Sequence, residues 1–148
     1  AIATVIIDQI GKFWIVKSYM YGSRAYLMPF INIVLAHNEG AAFGMLRNAA
    51  GWQHWFFIIV AILVSIVIVS LLAKTPRVDN WSAAGMALIL GGAIGNLYDR
   101  VVLGYVVDFV DLHLGSIHFP AYFNIADVAI NVGILLWIIG ALFCSKQN

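Results

Sequence analysis

Long uncharged apolar runs are the feature of this sequence that most constrains its fold. Residues 54–73 and residues 81–98 carry no formal charge, and residues 119–145 contain a single acidic residue, Asp127. A helix that crosses a bilayer needs about 20 mostly apolar residues, so each run predicts a membrane span. Residues 1–16 predict a fourth span, which we expect to begin before the first residue of the chain.

The composition agrees with a membrane protein. Hydrophobic residues make up 63% of the chain and charged residues 10%, whereas soluble domains carry about 25% charged residues. The net charge of +1 and the lack of a basic stripe argue against nucleic-acid binding. The single cysteine and the four histidines show no metal-ligand spacing, and no cofactor is expected. We therefore predict a single all-α membrane domain over residues 1–148, with four transmembrane helices.

The basic residues outside these runs predict the orientation of the chain. Lys74 and Arg77 lie in the short connection between the second and third predicted spans, and Lys146 follows the fourth. Since short cytoplasmic connections are enriched in Lys and Arg, we expect this side, and with it both termini, to face the cytoplasm. The other two connections then face outward, although Arg24 and Arg47 in the first of them count against this orientation.

The first outward connection predicts a small β structure. Residues 30–38, FINIVLAHN, alternate roughly between apolar and polar positions and are rich in β-branched residues, which is typical of a strand. The glycines that follow in residues 39–45 predict a turn or bulge. We expect an extracytoplasmic β platform over residues 19–52. The second outward connection, residues 100–120, is predicted to be a loop and is a candidate lid.

Two aspartates stand in positions where a carboxylate is costly. An ionisable residue inside a span costs about 2.5–3.5 kcal/mol on insertion scales. Asp108 interrupts the apolar stretch YVVDFV, and Asp127 lies about one turn into the last predicted span. Two carboxylates that enter one site of low dielectric constant tend to share a proton. One can then deprotonate water while the other protonates a peptide carbonyl, so the pair suggests metal-free peptide hydrolysis.

Other interpretations stay open on the residues alone. Buried carboxylates also occur in proton- or ion-coupled transporters, and a non-catalytic binding protein could use the outer platform. Asp8 and Lys12 are four residues apart, so they could simply neutralise one another on one helical face. Gly91 and Gly95 form a small-xxx-small pair, which predicts close helix packing.

Four sequence blocks resemble a known family. They are IDQIGK at residues 7–12, NEGAAF at 38–43, GNLYDRVVLGYVVDF at 95–109 and FNIADVAI at 123–130. In this order they resemble the bacterial lipoprotein signal peptidases (signal peptidase II), and the two later blocks are the most specific. The resemblance implies a four-helix aspartyl endopeptidase of the bacterial cytoplasmic (inner) membrane, with its active site near the extracytoplasmic face.

The resemblance also implies a substrate. This would be a prolipoprotein whose lipobox cysteine carries a diacylglyceryl group, and cleavage on the amino side of that cysteine would release the signal peptide. We expect the chain to act as a monomer in contact with membrane lipid. Peptide-like compounds of the globomycin type are the expected inhibitors.

Carried over by position, the catalytic pair is Asp108, from GYVVDF, and Asp127, from FNIAD. The resemblance implies further positions that bind substrate or support the site: Asp8, Lys12, Asn38, Gly40, Asn96, Asp99, Arg100, Asn124 and Ala126. Asp111 is expected to be an exposed neighbour. Gly11 departs from the family's usual hydroxyl residue before the lysine, which puts the local support of Asp8 in question.

Overall fold

The computed structural model describes residues 1–40, 51–76, 79–115 and 117–144. This part of the chain contains four α-helices, which are α1 (Ile2–Ser18), α2 (Trp52–Lys74), α3 (Asn80–Leu103) and α4 (Ile125–Cys144). It also contains four strands, which are β1 (Arg24–Met28), β2 (Ile31–Asn38), β3 (Val106–Leu114) and β4 (Ile117–His118). The strands form one antiparallel sheet in the order β1-β2-β3-β4.

Three helices within the described residues are long and apolar enough to cross a membrane. They are α2, α3 and α4, with mean hydropathies of 3.2, 1.3 and 2.2. Only 11% of an apolar 18-residue stretch of α2 is buried, against 44% of the corresponding stretch of α3. The helix α2 therefore lies at the edge of the group of helices, and α3 lies at its centre. The helix α1 has 17 residues and packs against α3 and α4. Each predicted run is confirmed to contain a helix, but the run over residues 119–145 becomes helical only at Ile125.

Glycines let α3 and α4 approach closely. A methyl group on Gly85 would lie 2.5 Å from the carbonyl oxygen of Gly133 and 2.6 Å from the main-chain nitrogen of Trp137. Real Cβ atoms do not approach backbone atoms so closely, so neither helix could keep its position with a larger residue at this crossing.

The predicted glycine pair on α3 packs against α1. A methyl group on Gly91 would lie 2.6 Å from Cβ of Thr4, and one on Gly95 would lie 2.7 Å from Oδ2 of Asp8. The prediction of close packing at Gly91 and Gly95 is therefore confirmed. The absence of side chains at these positions brings the Asp8 carboxylate directly against the α3 backbone.

The sheet joins both connections that were predicted to face outward. The strand predicted over residues 30–38 is confirmed as β2. The prediction of a loop over residues 100–120 is wrong for residues 100–103, which end α3, and for residues 117–118, which form β4. It is also wrong for residues 106–114, which form β3 and pair with β2. Asp108 and Asp111 interrupt the apolar pattern of this strand, so its hydropathy does not predict a strand. The candidate lid is therefore not a loop over residues 106–114.

Some predictions concern residues outside the described part. The predicted platform over residues 19–52 includes β1 and β2, but residues 41–50 lie outside that part. Of the basic residues used for the orientation, Arg47, Arg77 and Lys146 also lie outside it.

A small apolar core fixes the direction in which β3 presents its side chains. Ile15 of α1, Ile33 and Leu35 of β2, and Val107 and Phe109 of β3 form one buried cluster. Successive side chains of a strand point to opposite faces. Because its two neighbours on β3 face this core, the residue between them, at position 108, faces the other way.

The crossing of α3 and α4 generates a test of the packing. We expect Gly85→Val to lower the thermal stability of the purified protein, since overpacking costs about 1–3 kcal/mol and the contacts here are to backbone. Ala84 is exposed on the same helix, so Ala84→Val serves as the matched control and should change the melting temperature little. Equal melting temperatures for the two variants would contradict the close crossing.

Candidate active site

The start of α4 positions Asp127. The main-chain nitrogen of Asn124 donates to Oδ2 of Asp127 at 3.1 Å, and the main-chain nitrogen of Asp127 donates to Oδ1 of Asn124 at 3.0 Å. This reciprocal pair is a capping arrangement that satisfies N–H groups at the helix start. The main-chain nitrogen of Ala126 donates to Oδ1 of Asp8 at 2.9 Å. The sequence FNIAD thus begins a helix and orients a carboxylate at the same time.

Asp108 is buried on β3 between two asparagines. Its Oδ1 accepts from Nδ2 of Asn124 at 2.8 Å, and its Oδ2 accepts from Nδ2 of Asn38 at 3.0 Å. Oδ1 of Asn38 in turn accepts from the main-chain nitrogen of Gly40 at 2.9 Å. Gly40 has a φ of 108°, and a methyl group there would lie 2.6 Å from Cδ2 of Phe57, so both the backbone conformation and the space favour glycine.

Asn124 brings the two aspartates together. Its side-chain amide binds Asp108 and its main-chain nitrogen binds Asp127. Asn96 completes the bridge, because its Nδ2 donates to Oδ1 of Asp127 at 2.8 Å and its Oδ1 accepts from Nδ2 of Asn124 at 3.1 Å. Both aspartates line one cavity of about 1190 Å³. Asp108 and Asp127, which are 19 positions apart in the sequence, therefore lie in the wall of the same cavity.

The surroundings of Asp108 favour its protonated form. Burial raises the pKa of the Asp108 carboxyl to about 7, and the negative charge of Asp127 adds to this increase. The hydrogen bonds from Asn38 and Asn124 and the charge of Lys12 oppose it without cancelling it. At neutral pH the site can therefore hold a proton next to a second carboxylate, which is the state that acid–base chemistry needs.

Lys12 connects the residues behind this pair. Its Nζ lies 2.7 Å from Oδ2 of Asp8, 2.9 Å from Oδ2 of Asp99 and 3.0 Å from Oδ1 of Asn96. All four side chains are buried. The predicted pairing of Asp8 with Lys12 is confirmed, and Asp99 joins it as a second carboxylate on the same cation.

Asp99 links α3 to β3, and Gln9 is a member of this network that the sequence reasoning missed. Oδ2 of Asp99 accepts from the main-chain nitrogen of Val107 at 3.1 Å, and its Oδ1 accepts from Nε2 of Gln9 at 2.9 Å. The signal in the sequence was a polar residue directly beside Asp8 in an apolar helix. Gly11, the position that departs from the family's usual pattern, lies against α4, since a methyl group there would be 2.9 Å from Cδ1 of Ile125.

Arg100, near the end of α3, forms no salt bridge with a carboxylate among the described residues. Its Nη1 donates to the carbonyl oxygen of Asn96 at 3.2 Å, and its guanidinium carbon lies 5.3 Å from the centre of the Phe57 ring. The salt bridges among the described residues do not include it. Arg100 is thus held by stacking and by its own helix, which leaves guanidinium donors for other groups.

The expectation that Asp111 is exposed is wrong. Its side chain is 0% exposed. It accepts from Asn32 at 3.1 Å and lies 3.3 Å from Nε of Arg24 and 3.1 Å from Nδ1 of His118. Burial alone would raise the pKa of Asp111, but these hydrogen bonds and the positive charges outweigh it and lower the pKa. The antiparallel register sets Asn32 opposite Asp111, so this carboxylate joins all four strands.

Comparison with known proteins decides the family. A sequence model of the signal peptidase (SPase) II family matches residues 1–143. The chain belongs to the signal peptidase II family. The lipoprotein signal peptidase of Acinetobacter baylyi is 47% identical over 149 aligned positions, which cover 100% of this chain and 82% of that protein. The lipoprotein signal peptidase of Alteromonas mediterranea is 46% identical over 134 positions, which cover 90% of this chain and 73% of that one.

Solved structures agree with the fold. A bacterial membrane enzyme determined by the in meso method at 2.3 Å resolution is 34% identical, with a TM-score of 0.84, over 99% of this chain and 87% of that one. A second structure of this description, at 1.9 Å, gives a TM-score of 0.82 at 34% identity over 95% and 88% of the two chains. Membership of the family confirms the resemblance drawn from the four blocks. The chain is a membrane protease that removes signal peptides from prolipoproteins.

The buried cation generates the second prediction. We expect Lys12→Met to destabilise the protein strongly, because removing one partner from a buried ion pair costs about 3–5 kcal/mol and Asp8 and Asp99 would then repel each other. Thermal unfolding in detergent measures the loss. Lys17→Met, at an exposed position of the same helix, is the matched control. Adding Asp8→Asn to Lys12→Met should recover part of the stability, and a double variant no more stable than Lys12→Met would contradict the electrostatic account.

Proposed function

We propose that this signal peptidase II is an aspartyl endopeptidase in which Asp108 and Asp127 activate water. It would cleave a diacylglyceryl-modified prolipoprotein on the amino side of the lipidated cysteine. The observation that carries the proposal is the bridge through Asn124, which holds one carboxylate with its side chain and the other with its main chain. Two carboxylates held in this way can face one peptide carbonyl between them.

The chemistry assigns a different role to each carboxyl. Asp108, whose pKa is raised to about 7, carries the proton and gives it to the carbonyl oxygen of the scissile bond. Asp127 accepts hydrogen bonds from Asn96 and from the main chain of Asn124, and these donors hold its carboxylate in place. It takes a proton from the water whose oxygen attacks the carbonyl carbon. In the second step the carbon–nitrogen bond breaks, Asp127 protonates the leaving amine, and Asp108 recovers a proton from a hydroxyl of the tetrahedral intermediate.

The cavity suits a peptide that carries lipid. Its wall includes residues of β2, from Val34 to Asn38, the following Glu39, and residues of α4, including Val128 and Val132. We propose that the extended signal peptide lies along the β2 side near Asn38, and that the acyl chains lie along the apolar face of α4. Arg100 has guanidinium donors without a partner among the described residues, and we propose that they bind a carbonyl group of the substrate. This arrangement needs no cofactor, and a globomycin-type peptide would compete for the same space.

The proposed location is the bacterial inner membrane, with both termini in the cytoplasm. The helix α1, with 17 residues, is about 26 Å long at 1.5 Å per residue and would be the fourth span of a multi-pass single domain. All four strands follow the ends of α1 and α3 and precede α2 and α4, so the sheet belongs to one side of the membrane. Lys74 ends α2 on the opposite side, which supports a cytoplasmic location for that side. We propose that the monomer is sufficient for activity.

Replacement of either aspartate tests the proposal. Asp108→Asn and Asp127→Asn should each lower kcat for a diacylglyceryl-modified prolipoprotein by at least about 100-fold, since acid–base groups contribute about 10²–10⁴-fold. Asp79→Asn is the matched control: Asp79 caps the far end of α3, where asparagine caps equally well, so activity should be kept. Wild-type turnover in either site variant would disprove the pair. Substrate binding without turnover in the wild-type protein would favour a transporter or binding protein.

The raised pKa of Asp108 predicts the pH dependence of cleavage. Below about pH 7 the carboxyl keeps its proton, and above it the proton is lost as the folded protein titrates. We expect kcat/KM to fall about tenfold for each pH unit above this value, because kcat/KM follows the pKa of the essential acid in the free enzyme. Melting temperatures over the same pH range exclude unfolding as the cause. A flat profile up to pH 10 would contradict the shared proton.

A further inference from the structure

Gln53, the second residue of α2, carries a buried side-chain amide. Its side chain is 7% exposed. Its Oε1 is buried and has no hydrogen-bond partner among the described residues. Buried polar groups are nearly always paired, and an unpaired one destabilises the fold. A purely structural glutamine would be expected to have a partner for this oxygen.

The position of Gln53 connects it to the catalytic site. Gln53 lines the same cavity as Asp108 and Asp127. It lies beside Gly40, because a methyl group on Gly40 would be 3.7 Å from Cγ of Gln53. Gly40 is in turn hydrogen-bonded to Asn38, the residue that donates to Asp108. A peptide whose scissile bond lies at Asp108 would therefore pass close to Gln53.

We propose that the Gln53 amide hydrogen-bonds the main chain of the bound signal peptide next to the scissile bond. An amide side chain has two donors and an acceptor group, which match the C=O and N–H of a peptide unit. Rotation about the last side-chain bond exchanges the positions of Oε1 and Nε2, so either group can meet the peptide. Gln53 is then a positioning residue. The inference rests on the proposed function, since it places the substrate peptide in this cavity.

The first test compares two glutamines. Gln53→Met keeps the length of the side chain and removes its polar atoms. We expect it to lower kcat/KM for a diacylglyceryl-modified prolipoprotein about tenfold, chiefly through KM, while the melting temperature stays the same or rises. Gln9→Met is the matched control for stability, because Gln9 already donates to Asp99 at 2.9 Å; its melting temperature should fall. Unchanged kcat/KM in Gln53→Met, or a melting temperature that falls as in Gln9→Met, would overturn the inference.

A second test identifies the partner on the substrate. Lipidated peptide substrates are made with an ester in place of one amide at successive positions near the cleavage site, which removes one N–H and weakens one C=O acceptor. At one position the ester should weaken binding to the wild-type protein about three- to tenfold and leave binding to Gln53→Met unaffected. Equal losses in both proteins at every position would overturn the inference.

Carrying out these binding measurements in an Asp127→Asn background separates the two proposals. Binding does not require turnover, so a failure of the aspartate pair would appear as continued cleavage by Asp127→Asn. A failure of the Gln53 inference would appear only as the lack of coupling between Gln53 and the ester position.

Discussion

One buried ammonium group holds the site together. Lys12 lies within 3 Å of carboxylate oxygens of both Asp8 and Asp99, and each carboxylate also binds a main-chain N–H, of Ala126 at the start of α4 and of Val107 on β3. Those two elements carry Asp127 and Asp108. A single cation therefore ties α1 to α3 and fixes the two elements that present the aspartates. A buried charge is tolerated here because every partner is hydrogen-bonded.

The packing of the helices makes this polar network possible. Gly95 leaves room for the Asp8 carboxylate against α3, and Gly85 with Gly133 lets α4 come close to the same helix. Close approach brings asparagines from α3 and from the start of α4 within hydrogen-bond distance of each other. Exclusion of water then raises the pKa of Asp108 and strengthens each of these hydrogen bonds. The close helix packing thus makes the polar network possible, and the network in turn supports the acid–base chemistry.

Sequence reasoning predicted the helices and the strand β2 because their patterns are local. It missed β3, since Asp108 and Asp111 interrupt the apolar period by which strands are recognised. It also placed Asp111 at the surface, because the residues that bury it belong to three other strands. The roles of Gln9 and Gln53 were not predicted for a similar reason, because the role of a glutamine in an apolar helix depends on the residues that surround it in the folded protein.

The sequence by itself determined that the chain is a membrane protein, where its helices run, and which family it belongs to through four short blocks. Hydropathy depends on consecutive residues, and motif residues can be read in order, so neither needs coordinates. Only the tertiary structure decided that Asn124 binds both aspartates, that Lys12 serves two carboxylates and that Asp111 is buried. Contacts of this kind join residues as far as 118 positions apart, as in the hydrogen bond between Asp8 and Ala126. Their geometry depends on helix crossings and strand register, which no local pattern specifies.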